Sequence, residues 1–65
     1  MNDHPVRVAR KAKGLSVAEL ARLAGVSVPT VYAIEQGRNV GRVSTLASLA
    51  TVLELPLTDL VRILP

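Results

Sequence analysis

An all-α fold, a compact domain of five short helices, is what the sequence predicts, and three observations carry it. Apolar residues recur at helical spacing, most plainly at Leu46, Leu49, Ala50 and Leu53 and again at Leu57, Leu60, Val61 and Leu64. Gly14, Gly25 and Gly37 interrupt the chain at helix-length intervals, and no segment alternates apolar and polar residues cleanly enough to be a strand. The hydrophobic share is 49% while aromatics are 2%, so the core must be built of Leu, Val, Ile and Ala. With 65 residues at 6.9 kDa there is room for one core, and residues 1–65 are read as a single domain.

The first helix runs from about His4 to Lys13, with Asp3 as its expected N-cap and Pro5 in the first turn, where a missing N–H costs nothing. Lys11 and Lys13 suit the negative end of its dipole, and Gly14 closes it. Ser16-Val17-Ala18-Glu19 is a capping box that starts the second helix at Val17. Leu20, Ala21 and Ala24 share one face of that helix, and Gly25 supplies its left-handed stop. Val26 is an apolar staple and Ser27 the next N-cap. The third helix then spans Val28 to Gln36, with Pro29 fixing its start and Gly37 its end. The fourth and fifth helices carry the two apolar stripes, separated by Leu55, a core plug, and Pro56.

Nothing staples this small chain covalently. It has no cysteine, and a lone His4 cannot assemble a zinc site, so neither metal nor cofactor is expected. Eight Lys and Arg against five Asp and Glu give a net charge of +3 and a pI near 10.2, which favours an anionic partner, nucleic acid first. Asp3, His4, Arg7 and Arg10 break up any leader-like apolar stretch, and the uncharged run Val43 to Leu53 is well short of the roughly 20 residues of a membrane span. A soluble, cytoplasmic protein is expected.

Two short helices joined by Gly25-Val26-Ser27 make the sequence pattern of a helix-turn-helix, with Ala21 and Gly25 read as small residues at a close approach. The run Gly14-Leu15-Ser16, Glu19-Leu20-Ala21, Ala24-Gly25-Val26-Ser27, Thr30-Val31 and Ile34-Glu35-Gln36-Gly37-Arg38 resembles the Cro and phage-repressor family of DNA-binding domains, also called XRE. Thr45-Leu46, Leu49-Ala50, Leu53, Leu57 and Asp59-Leu60 continue it, so the resemblance covers about Val6 to Leu60. It implies a lambda-repressor-like five-helix domain whose third helix lies in the major groove while the second crosses the backbone above it.

The expected base-reading residues are Val28, Pro29, Thr30, Tyr32, Ala33 and Gln36, with Val31 and Ile34 turned to the core. In the family, the positions matching Val28, Pro29 and Ala33 are often polar. Apolar residues there touch thymine methyls or exclude polar groups, so direct readout leans on Thr30, Tyr32 and Gln36, and part of the specificity on DNA shape. The Tyr32 hydroxyl suits a bond to phosphate or base, the other reading being plain surface packing. Phosphate candidates are Ser16, Val17 and Ser27 at two helix N-termini and Arg38, Asn39 and Arg42 after the third helix. Arg7, Lys11, Lys13 and Arg22 lie on faces the sequence does not orient. The resemblance also implies a structural ion pair between Arg10 and Glu35, which would take Arg10 away from phosphate.

The implied function is sequence-specific binding of a double-stranded DNA operator by a small transcriptional regulator, a repressor, acting as a homodimer at least on DNA. Leu57, Ile63 and Leu64 are the dimer candidates, against the other reading that the apolar end caps a monomer's core. The alternative is a helical protein-interaction module, or an antitoxin-like partner-binding protein, using the apolar C-terminal helix. An enzyme is not expected: Glu19 and Glu35 are already assigned to a cap and an ion pair, and no nucleophile–base pair or Gly-rich phosphate loop is present.

Overall fold

In a computed structural model, which describes residues 3–38 and 42–61, the chain forms α1 (Pro5–Ala12), α2 (Val17–Ala24), α3 (Val28–Glu35), α4 (Val43–Leu53) and α5 (Leu57–Val61). No strand occurs among the described residues. Helix α4 packs against α1, α2 and α5, while α3 is held by α1 and α2. Val6, Leu20, Val31, Ile34, Leu46, Leu49 and Leu60 are the largest fully buried side chains, so every helix sends at least one aliphatic residue into a shared core. The stripe predicted for α4 is buried along its length, and Leu55 packs against the core as a plug.

The start of α1 differs from the sequence expectation. His4, not Asp3, is the N-cap, and its Nδ1 accepts from the Val6 amide at 3.1 Å. Pro5 is the reason. Proline restricts the residue before it to extended backbone, and His4 at φ −60, ψ 141 is therefore the last non-helical residue. Asp3 instead comes within 3.9 Å of Arg7, an exposed i, i+4 pair. Burial pushes the His4 pKa below its usual value, partly offset by the charge of Glu35, and this favours the neutral ring whose Nδ1 can accept.

Four helices end in the same way. Leu15, Val26, Arg38 and Leu55 donate their amides back to Arg10, Ala21, Ala33 and Ala50, five residues earlier, at 2.9–3.1 Å. Each follows a residue with positive φ, Gly14, Gly25, Gly37 or Glu54. Leu15, Val26 and Leu55 then turn onto the core, whereas Arg38 is exposed. Glu54 at φ 58 is the departure, since no glycine announces that stop. Its carboxylate accepts from Lys13 Nζ at 3.0 Å on the surface.

Helix α3 ends at Glu35, with Gln36 as its C-cap. At the start of α4, Arg42 is the N-cap and makes no side-chain capping bond. Among the described residues no single helix is long and apolar enough to cross a membrane.

Candidate nucleic-acid interface

Helices α2 and α3 turn through 113° across Gly25-Val26-Ser27. Gly25 reverses the chain at φ 71, Val26 packs against the core, and Ser27 Oγ accepts the Thr30 amide at 3.2 Å to start α3. Leu20 and Ala21 of α2 and Val31 and Ile34 of α3 fill the angle between the helices. Ala21 is the small buried residue there. A Cβ on Gly25 would meet nothing within 4 Å, so the sequence reading of Gly25 as a close approach is corrected: its positive φ is what calls for glycine.

The outer face of α3 is mostly apolar or already engaged. Pro29 and Gln36 are exposed, Tyr32 is 47% exposed, and Thr30 and Ala33 are half-buried. Val28, expected on the open side, packs partly against the core, because the first residue of α3 still leans on the turn it leaves. The Thr30 hydroxyl lies 2.7 Å from Ser27 Oγ, which also takes the Thr30 amide. Tyr32 and Gln36, one turn apart, line a cleft of about 340 Å³ together with Arg7, Arg10, Ser16, Val17 and Glu35. Those two base-reading candidates therefore stand beside the phosphate candidates at the start of α2.

At the α2 N-terminus the capping box is complete: Ser16 Oγ accepts the Glu19 amide and Glu19 Oε1 accepts the Ser16 amide, both at 3.0 Å. These bonds hold the Glu19 carboxyl below the usual range and keep it ionised. This helix end already carries an anion of its own, which leaves the Val17 and Ala18 amides and the Ser16 hydroxyl proton for a phosphate. Val17 offers only its backbone, since its side chain is buried. At the start of α3, Pro29 has no N–H and Thr30 is spent on Ser27, so Val28 supplies the remaining amide. Arg38 and Arg42 are exposed, and Asn39 lies outside the described residues.

Two helices at this angle, joined by a short glycine-containing turn, have helix-turn-helix geometry. Residues 5–63 match the family described as helix-turn-helix domain. The chain belongs to that family. No curated protein and no solved structure matches it.

Within this helix-turn-helix domain, Arg10 and Glu35 are brought together. Arg10 Nε donates to Glu35 Oε2 at 2.8 Å and Nη2 to Oε1 at 3.1 Å, while Nη1 donates to the Leu15 carbonyl at 2.8 Å. Both side chains are nearly buried, at 11% and 6% exposure, so Arg10 is not available to phosphate. The hydrogen bonds to Glu35 raise the pKa of its guanidinium further.

The sequence does not orient Arg7, and the structure sets it in the cleft with Tyr32, Gln36 and Ser16. The signal was present in the spacing. Arg7 is one turn before Arg10 on α1, so once Arg10 faces α3 its neighbour at i−3 lies on the same side. Leu57, read as a dimer candidate, is half-buried against the core, and Ile63 and Leu64 lie outside the described residues.

Proposed function

We propose that this helix-turn-helix domain is a sequence-specific double-stranded DNA-binding transcriptional regulator of the Cro-like, XRE type, a cytoplasmic repressor without enzymatic activity or cofactor. Helix α3 enters the major groove and α2 crosses the backbone above it. The observation that carries this reading is the capped α2–α3 pair at 113°, which leaves one face of α3 open and a cationic side chain, Arg38, three residues beyond its end. Arg7, Arg38 and Arg42 then hold phosphates, helped by the α2 amides, and position the helix without reading sequence. Two copies on a palindromic operator would present α3 to half-sites roughly 34 Å apart.

The test is a titration of random-sequence duplex over a salt series, followed by selection of bound sequences from a random pool. DNA binding through several phosphate contacts weakens by orders of magnitude between low and moderate salt, and selection should enrich a motif with two-fold symmetry. A protein-interaction module is the second reading, favoured by an open apolar groove of about 710 Å³ between α1 and the α4–α5 turn, lined by half-exposed Val8. Salt-insensitive association with no enriched motif would select it.

A further inference from the structure

We infer that the face α3 turns to the bases reads pyrimidine C5-methyl groups, thymine in unmodified DNA, and disfavours G·C pairs; this rests on the major-groove reading above. Residues near the N-terminus of a recognition helix reach base edges first. On α3 the open stripe there is Pro29, exposed, and Ala33, half-buried one turn later. Neither side chain has a hydrogen-bonding group, and Pro29 lacks an N–H as well. Thr30 and Ser27, hydroxyl to hydroxyl at 2.7 Å, keep a single O–H proton between them for any outside acceptor. Gln36 continues this stripe three residues after Ala33, about 4.5 Å further along the helix, and exposed Tyr32 borders it.

Pro29 and Ala33 cannot pair the polar edges of guanine and cytosine, and burying those edges unpaired against them is costly. The thymine methyl is the one apolar group that a base pair presents in the major groove, and it asks only for apolar contact. Pro29 and Ala33 supply it. The preference comes from what the stripe lacks as much as from what it touches.

Four alternating duplexes test this without an operator: poly(dA-dT), poly(dA-dU), and poly(dG-dC) with and without a methyl on cytosine C5. The 65-residue chain should bind the methylated member of each pair about three- to fivefold more tightly for each methyl contacted, the size expected for burying one methyl-sized group. In a Pro29→Ser/Ala33→Ser variant, shown folded by circular dichroism, each pair should bind alike. Ala33→Ser alone serves if the double variant does not fold. Equal, salt-dependent binding of the wild type to all four duplexes overturns this inference and leaves the DNA-binding reading standing. No binding at low salt overturns both. Discrimination that survives in the folded variant overturns the assignment to Pro29 and Ala33.

Discussion

Arg10 meets Glu35 fork to fork, with parallel hydrogen bonds of 2.8 and 3.1 Å, and spends its remaining nitrogen on the Leu15 carbonyl. One side chain thereby ties α1, the entry to α2 and the last turn of α3. Removing it strands a carboxylate that is 6% exposed. Arg10→Ala should cost about 3–5 kcal/mol, comparable with the roughly 3–5 kcal/mol a core of this size supplies. The expected outcome is an unfolded chain by circular dichroism, whereas Arg10→Met/Glu35→Leu should refold it. A wild-type melting temperature for Arg10→Ala would sink the structural role of the pair.

Arg42 caps α4 without a capping bond, and it places a cation at the positive end of the helix dipole. Serine there would accept an amide proton. Arg42→Ser should therefore raise stability by about 1 kcal/mol in urea melts. The same change should flatten the slope of log affinity against log salt by about one. A less stable variant with unaltered DNA affinity would contradict both halves.

Gly25 separates backbone conformation from space, because its φ is 71 and the volume beside it is open. Gly25→Ala should cost about 1 kcal/mol through left-handed strain alone. D-alanine at the same position, accessible by chemical synthesis, should instead stabilise by about 0.4–1 kcal/mol. Equal stability of the two diastereomers would show that φ is not what the turn requires.

His4 accepts the Val6 amide through Nδ1, and burial lowers its pKa from the usual 6.5. Over the interval below 6.5 the unfolded chain binds the extra proton, so stability is full above that pH and is lost as pH falls through the folded-state value. Stability measured between about pH 7.5 and 5.5 should fall toward acid and flatten in His4→Ser, which keeps a cap without titrating. An unchanged acid slope in that variant would assign the effect elsewhere.

The elements that use strong local signals were legible in the sequence. Ser16 with Glu19, Ser27 before Pro29, and the left-handed glycines mark their helix ends because each satisfies specific orphan backbone groups. Where two local rules compete, sequence alone does not decide: Asp3 is the better intrinsic cap, but Pro5 dictates which residue is extended. Glu54 escaped because a residue that bears left-handed strain leaves no compositional mark; Leu55 seated on the core holds it there. For the candidate site, the sequence names residues and does not give their arrangement. That Thr30 is engaged by Ser27, that Glu19 charges the start of α2, and that Arg7 joins Tyr32 in one cleft all depend on how helices face one another.

Position 38 differs from its three counterparts at helix ends. Exchanging Leu15, Val26 or Leu55 removes an apolar contact with the core, whereas Arg38 holds its place through its backbone, by the bond to Ala33 at 2.9 Å, and its side chain is exposed and unpaired among the described residues. Selection can therefore vary that side chain, adding or dropping a charge beside α3, with little effect on whether the chain folds. On the proposed DNA-binding reading, grip and foldability are independent variables at this helix end, and retuning the domain toward a weaker or tighter hold on DNA would begin there.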